Sequence, residues 1–219
     1  MTFKPSLLFT LPAEVQALFL DQAEKRRFAA GQTLFTPGSV PDAMFCVLEG
    51  RTVVTMFSKE GRRFMATELT KGQWFGETPL LDQKERAFHV QAIDDTEVAV
   101  VSSRAFWEVV NGYPVALHAV TLLVVQRYRR MLDWIESAAL RPLPARLAIL
   151  LLELCADRDE SRGLVAASQE ALADHLAVAR QSINRLLKGW ERDGLVEIHY
   201  ATLRIIHWAA IEKIALSVK

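Results

Sequence analysis

SQEALADHLAVARQSINRLLKGWERDGLVEIHYATLRII, residues 168–206, is the stretch that decides the fold. Ser168 followed by Glu170 predicts a helix start, because a hydroxyl accepts from an unpaired backbone N–H and an acid suits the positive helix end. The apolar pattern breaks at residues 177–179, and a second helix is predicted from the spacing of Ile183, Leu186, Leu187 and Trp190. After the helix stop Asp193-Gly194, residues 195–198 and 203–206 are typical of a β-hairpin.

The polar face of the second helix predicts a DNA-binding surface. It carries the side chains of Arg180, Gln181, Ser182, Asn184, Arg185 and Lys188. Arginine forks onto guanine, while glutamine and asparagine pair with adenine. A merely solvated helix would interleave glutamate with its basic residues, whereas residues 179–190 hold three basic residues and no acid. Two short helices and a hairpin therefore predict a winged helix-turn-helix that binds double-stranded DNA in the major groove.

Length and composition limit the number of domains and argue against a membrane or secreted protein. The chain has 219 residues, which suggests two domains, and its formal net charge is zero, so any DNA-binding charge must be local. The longest apolar runs, such as residues 147–152, are too short to cross a bilayer, and the N-terminus lacks the features of a signal peptide. We therefore expect a cytoplasmic protein with no membrane partner. Cys46 and Cys155 are predicted to be small buried hydrophobic residues.

The N-terminal half is predicted to be an amphipathic helix followed by an antiparallel β-domain. Val15, Leu18 and Phe19 share one face of a helix from residue 11 to about residue 23. Short apolar runs punctuated by glycine follow, and the strand-like runs are residues 44–48, 52–57, 64–69 and 98–101. A short helix is predicted to be capped at Ser103. The predicted fold class is α+β, with an antiparallel β-barrel or jelly roll, a long helix and a winged helix-turn-helix.

A long helix from Pro114 to about Ala139 predicts a homodimer. Its seam positions alternate in spacing between four and three residues, as in a coiled coil: Leu117, Thr121, Val124, Tyr128, Met131 and Ile135. The alternative is a helix that packs only on its own β-domain. A second apolar row is expected to supply that packing and to leave the seam free: Leu122, Val125 and Leu132. Residues 141–144 then form a hinge, so the predicted domains are residues 1–112, 113–141 and 142–219.

Two short segments of the β-domain, Gly76-Glu77 and Arg86-Ala87, resemble the phosphate-binding cassette of cyclic-nucleotide-binding domains. In that family the glutamate holds the ribose 2′-hydroxyl, and the arginine with nearby backbone N–H groups holds the cyclic phosphate. A guanidinium suits this role because it forks onto two phosphate oxygens. The resemblance therefore implies a small effector bound by Gly76, Glu77, Arg86 and Ala87.

The order of β-domain, cassette, long helix and winged helix resembles the CRP/FNR family of bacterial transcription regulators along essentially the whole chain. Residues 179–185, ARQSINR, are similar to the family's Ser-Arg-Glu-Thr-Val-Gly-Arg, which implies that Arg180, Gln181 and Arg185 read bases. Gln181 in place of glutamate predicts a different preferred base pair. Ala177 and Ala179 depart from the usual glycine of the turn and serine of the helix cap. The charged loop of residues 157–163 aligns with the surface that contacts RNA polymerase in the family.

Departures in the cassette predict that cyclic AMP is bound weakly or not at all, and they leave the effector unidentified. Pro79 stands where the cassette usually supplies a backbone N–H, and proline has none. Phe88 is expected to narrow the space. Met131 and Leu132 fall where the family has a polar pair that meets the adenine, and neither hydrogen-bonds a purine. These replacements suit a less polar effector or a pocket filled by side chains, with Arg86 then paired to an acid of the β-domain.

Two alternative functions follow from the same residues. One is a cyclic-nucleotide-binding regulatory subunit without a DNA role, which the polar face of residues 180–188 disfavours. The other is a haem or redox sensor, with His89 or His118 as a candidate iron ligand. No iron–sulfur cluster is expected, because the N-terminal cysteine cluster that such sensing needs in the family is missing from this sequence. Nothing supports an enzyme, since the five histidines are scattered and the sequence has no HExxH, nucleophile elbow or phosphate loop.

Overall fold

The computed structural model describes residues 10–57, 63–156, 163–199 and 202–217. Two compact units divide near Arg130, which lies inside a long helix. We call residues 10–57 and 65–129 the first unit, and the residues from Arg130 onward the second unit. The predicted domain bounds at residues 112 and 141 remain a prediction.

The first unit contains two four-stranded antiparallel sheets among its described residues. Helix α1 (Ala13–Leu20) precedes the strands, which are β1 (Glu24–Phe28), β2 (Thr33–Phe35), β3 (Ala43–Glu49), β4 (Thr52–Phe57), β5 (Arg63–Leu69), β6 (Trp74–Phe75), β7 (His89–Ala92) and β8 (Thr96–Ser102). One sheet has the order β1-β8-β3-β6 and the other β2-β7-β4-β5. The two sheets form a jelly-roll-like sandwich and not the closed barrel that was one of the predicted forms.

Three helices follow or interrupt the strands of the first unit. They are α2 (Thr78–Asp82), α3 (Ser103–Gly112) and α4 (Pro114–Leu140). The ring of Phe19 in α1 lies 5.6 Å from that of Trp74 in β6 and 5.9 Å from that of Phe106 in α3. All three side chains are fully buried, so these aromatic contacts pack α1 and α3 against the first sheet.

Two helix boundaries predicted from the sequence differ from those in the structure of the first unit. Helix α1 ends at Leu20 because the chain enters β1, whose sequence EKRRF is too charged to predict a strand. Its cations instead pair across the sheet with β8, where Arg27 Nε donates to Glu97 Oε2 at 2.8 Å. The cap of α3 is Ser102 and not Ser103, because the Ser102 hydroxyl accepts from the Ala105 N–H at 3.2 Å.

Helix α4 packs on the first unit through a different row from the one predicted. Its buried residues are Ala116, Ala119, Val120 and Leu123. The expected packing row is exposed, at 46% for Leu122, 39% for Val125 and 44% for Leu132. Small alanines bring the helix close to its neighbours, which leaves the larger side chains outside. The predicted seam is exposed at Leu117, Thr121, Tyr128, Met131 and Ile135, and half-buried at Val124.

The second unit has the elements of a winged helix-turn-helix in the predicted order. They are α5 (Leu143–Ala156), β9 (Leu164–Val165), α6 (Gln169–Leu176), α7 (Arg180–Arg192), β10 (Val196–His199), β11 (Thr202–Ile205) and α8 (Trp208–Ala215). The strands form a three-stranded sheet in the order β10-β11-β9. A separate core is built from side chains of every helix in this list, including Leu147, Leu151, Leu172, Ile183, Leu187 and Ile211.

Residues 157–162 of the predicted polymerase-contacting loop lie outside the described residues. No single helix in the described ranges is long and apolar enough to cross a membrane, and α3 with α4 passes that test only as a pair bent by 115°.

Candidate DNA-binding and effector sites

The turn between α6 and α7 is held mainly by backbone hydrogen bonds. The Ser168 hydroxyl caps α6 by accepting from the Ala171 N–H at 3.0 Å. At the other end, Ala177 has a left-handed conformation with φ of 53°, and Val178 N–H donates to the Ala173 carbonyl at 3.0 Å, as in a Schellman motif. A left-handed conformation costs a residue with a Cβ about 1–2 kcal/mol, which glycine avoids. Ala179 gives α7 no side-chain cap, which costs about 1 kcal/mol more.

Arg146 supports this turn from α5. Its Nη2 donates to the carbonyl of Leu176 at 2.7 Å. That carbonyl is one of the last four of α6, which have no partner inside the helix. Partial burial of the guanidinium lowers the pKa of Arg146, which stays charged because arginine titrates far above neutral pH.

Helix α7 separates an apolar face from a basic face. Ile183, Leu187 and Trp190 are buried in the core of the second unit. Four of the predicted DNA-binding side chains are exposed: Arg180, Gln181, Arg185 and Lys188. Ser182 and Asn184 are half-buried at the edges of the helix. The exposed face therefore presents three cations and one amide to solvent, the chemistry that phosphates and base edges accept.

Asn184 has a hydrogen-bond partner that was not predicted from the sequence. Its Nδ2 donates to Gln169 Oε1 at 2.7 Å, which joins α7 to the first residue of α6. The polarity of residues 168–170 gave no signal for which of them faces α7, because that depends on how the two helices cross.

The β10–β11 hairpin follows α7 directly in the chain. Gly194 has a φ of 70°, and the Leu195 N–H donates to the Trp190 carbonyl at 2.8 Å, so the predicted helix stop is confirmed. Glu191 Oε1 accepts from the Ile198 N–H at 3.2 Å, which ties the last turn of α7 to the hairpin. Glu191 therefore supports the wing, and it also lines a groove on the surface of α7 together with Arg185 and Lys188.

In the cassette, Arg86 already has partners within the first unit. Its Nη2 donates to Asp42 Oδ1 at 2.9 Å and to the Ala43 carbonyl at 2.7 Å, and its guanidinium carbon lies 4.0 Å from the centre of the Phe35 ring. The Arg86 side chain is 1% exposed, whereas that of Asp42 is 73% exposed. Burial lowers the pKa of Arg86, and Asp42 opposes that shift. The expected pairing of Arg86 with an acid of the β-domain is what the structure has.

Gly76 leaves room for this arrangement. A Cβ there would lie 3.1 Å from Arg86 Nη1 and 3.2 Å from the Phe45 ring, and the residue has a φ of 86°. Both the backbone conformation and the close approach of Arg86 therefore require glycine.

Glu77 is also paired, with a residue that the sequence did not single out. Its side chain is fully buried, and Oε1 accepts from Arg127 Nη1 of α4 and from the Thr78 hydroxyl. Arg127 Nη2 donates in addition to the Trp74 carbonyl. Oε2 of Glu77 is buried without a hydrogen-bond partner among the described atoms. Glu77 therefore links the cassette to α4, and one of its oxygens is left to accept a donor.

The remaining predicted effector residues are less enclosed. Ala87 is exposed, and Phe88 is 39% exposed. That Phe88 narrows the space for an effector remains a prediction. Pro79 lies in the first turn of α2. Met131 and Leu132 belong to the second unit and are 52% and 44% exposed.

Both cysteines are buried, as the sequence predicts. Burial raises the pKa of Cys46 to about 12 and that of Cys155 to about 11, which disfavours the reactive thiolate. Among the described residues, no group of three or more His, Cys, Asp or Glu side chains is placed to hold a metal ion.

Comparison with known proteins identifies both halves of the chain. Residues 25–113 match the family of cyclic nucleotide-binding domains, and residues 145–214 match the Crp-like helix-turn-helix domain. The Cyclic AMP receptor protein of Thermus thermophilus is 25% identical over 204 residues, which cover 93% of each chain.

Solved structures give the same architecture. A transcriptional regulator of the CRP/FNR family from Eubacterium rectale has a TM-score of 0.78 at 19% identity, covering 94% of this chain and 96% of that one. The c-di-GMP responsive global regulator CLP of Xanthomonas campestris has a TM-score of 0.77 at 20% identity, covering 89% and 99%. At these identities the structural likeness shows the fold alone. The two domain matches, their order and the shared fold together place this chain in the CRP/FNR family of effector-controlled, DNA-binding transcription regulators.

Proposed function

We propose that this chain is a homodimeric, sequence-specific regulator of transcription whose α7 is the recognition helix. The observation that carries the proposal is the basic face of α7, where Arg180, Gln181, Arg185 and Lys188 are exposed opposite a buried apolar face. Arg180 and Arg185 are assigned to guanine, Gln181 to adenine and Lys188 to phosphate. Ser182 and Asn184 complete the predicted surface from its edges.

Substitution of single side chains on this face tests the assignment. Arg180→Ala or Arg185→Ala is expected to cost about 1–3 kcal/mol on a duplex selected by the wild-type protein, and to relax the preference at one base pair per half-site. Lys188→Ala should weaken all sequences alike and lower the salt dependence of binding. If neither arginine variant changed the ratio of affinities for selected and random DNA, the assignment would be wrong.

We also propose that the effector of the first unit is less polar than a cyclic nucleotide. Arg86 Nη2 is paired with Asp42 and the Ala43 carbonyl, and Glu77 Oε1 is paired with Arg127. Arg86 Nη1 and Glu77 Oε2 are buried without a hydrogen-bond partner among the described atoms. A cyclic phosphate that accepts from both terminal nitrogens of Arg86 would have to displace Asp42 from Nη2, and it would find no backbone N–H at Pro79. The Phe35, Phe45 and Phe75 rings, which lie 5.2–6.1 Å apart beside Arg86, favour an apolar ligand or a filled interior.

Calorimetric titration measures the affinity of the protein for cyclic AMP and so tests this proposal. Each phosphate oxygen left without a donor in an enclosed pocket costs on the order of 1–3 kcal/mol, which is about a tenfold loss or more. We therefore expect weak or undetectable binding of cyclic AMP. Micromolar affinity accompanied by tighter binding to the selected duplex would contradict the expectation and would leave cyclic AMP as the effector.

We also propose two protein partners, a second copy of this chain and RNA polymerase. The exposed seam of α4 is proposed as the dimer interface, and the loop at residues 157–163 as a contact for RNA polymerase. Met131 and Leu132 remain candidate effector contacts. A transcription regulator of this kind acts in the cytoplasm, beside the chromosome, and needs no enzymatic activity.

A further inference from the structure

A hydrogen bond between the side chains of Gln169 and Asn184 links α6 to α7, the two helices of the helix-turn-helix. Asn184 Nδ2 lies 2.7 Å from Gln169 Oε1, and both residues are half-buried. Gln169 is the first residue of α6, next to its cap, and Asn184 is in the second turn of α7. Each side chain is therefore partly withdrawn from solvent and restrained by the other.

The bond restricts what Asn184 presents to DNA without using up its hydrogen-bonding groups. A primary amide has two N–H donors and an oxygen acceptor, and the contact with Gln169 takes one donor. The second N–H and the oxygen of Asn184 stay available, and these are the two groups that pair with N7 and N6 of adenine. The rotamer freedom that a free asparagine would lose on binding is already restricted in the protein.

The position of Asn184 on α7 makes this restriction relevant to base recognition. It follows Arg180 by four residues and Gln181 by three, so the three side chains are neighbours on the helix surface. Arg180 and Gln181 are exposed, and Asn184 lies beside them at the edge nearest to α6.

We propose that Gln169 is a positioning residue for base recognition, which acts through Asn184 and sets the base pair that Asn184 accepts. The inference rests on the proposed DNA-binding function and adds to it a residue outside the recognition helix. Gln169 needs no contact with a base in this role.

Two substitutions of Gln169 separate positioning from mere support of the fold. Gln169→Met keeps the length of the side chain but removes the oxygen that accepts from Asn184. Gln169→Glu keeps an oxygen in that place and adds a negative charge. Asn184→Ala removes the reader itself, and Glu170→Ala is a matched control at the exposed neighbouring position of α6.

The affinity of each full-length variant is measured on a duplex that the wild-type protein selects from a random library, and on a panel that changes each base pair of one half-site. Asn184→Ala and Gln169→Met should both flatten the preference at the same base pair by about fivefold or more, and the double variant should lose no more. Gln169→Glu should keep that preference while binding all sequences more weakly, because its charge repels phosphates. Glu170→Ala should keep the preference as well.

An unchanged base preference in Gln169→Met overturns the proposal, and so does an unchanged preference in Asn184→Ala. Thermal melting establishes that the variants are folded, and a Gln169→Met protein that fails to fold is replaced by Gln169→Leu in the same comparison. Failure of the wild-type protein to enrich any sequence would instead contradict the proposed DNA-binding function.

Discussion

The pKa of His175, in the last turn of α6, predicts that the second unit loses stability in acid. Burial and, to a smaller extent, the nearby charge of Arg130 lower the pKa of His175 to about 4. Histidine in an unfolded chain titrates near 6.5, so the unfolded state takes up the proton first as the pH falls. The contribution of neutral His175 to stability is therefore complete above pH 6.5 and is lost as the pH falls toward 4.

Replacing His175 with glutamine tests this prediction. Between pH 7 and 4, the wild-type free energy of unfolding should fall by up to roughly 3 kcal/mol more than that of His175→Gln, as a shift of this size implies. Urea unfolding at several pH values gives both curves. Curves that fall in parallel would show that His175 does not cause the acid sensitivity.

Some residues of the cassette were predictable from the sequence, and their partners were not. Gly76, Glu77 and Arg86 follow from a short motif, because their spacing is local. Asp42 and Arg127 complete the site from 44 and 50 residues away, and no local pattern encodes such pairs. Gln169 escaped prediction for the same reason, since its contact depends on the crossing of two helices.

At the scale of elements, α4 carries an apolar surface larger than the predicted seam. Beyond the exposed seam residues, Leu122, Val125 and Leu132 are exposed as well. Exposed apolar side chains in such a continuous stripe mark a surface that is buried by association. The proposed dimer therefore has more apolar area available than a strict heptad seam supplies.

The variant Val124→Glu tests the dimer. It places a carboxylate at a position that faces its own symmetry mate in the proposed dimer, and two like charges would have to lose water together. Sedimentation should give a monomer mass for Val124→Glu and a dimer mass for Gln126→Glu, a control on another face of the same helix. A dimer mass for Val124→Glu would place the interface elsewhere.

Elements were predictable where the apolar period is strong. Strands β3 and β4, helix α4 and the helix-turn-helix match their predicted ranges closely, because buried faces impose a regular pattern. Strand β1 was missed because its charged side chains are exposed and paired across the sheet. The packing row of α4 was misassigned because two alanines, Ala116 and Ala119, carry a weaker hydrophobic signal than the leucines beside them.

In the whole molecule, we propose that a homodimer presents two copies of α7 to one DNA duplex. Two-fold symmetry in the protein then requires two-fold symmetry in the DNA site. Successive major grooves on one side of B-DNA are about 34–36 Å apart, which is about 10–10.5 base pairs.

Selection of random duplexes by the full-length wild-type protein, followed by sequencing and footprinting, tests this claim most directly. We expect an inverted repeat whose half-site centres are about one helical turn apart, with both halves protected together. Recovery of no enriched sequence, or of a single asymmetric half-site bound by one protomer, would contradict it.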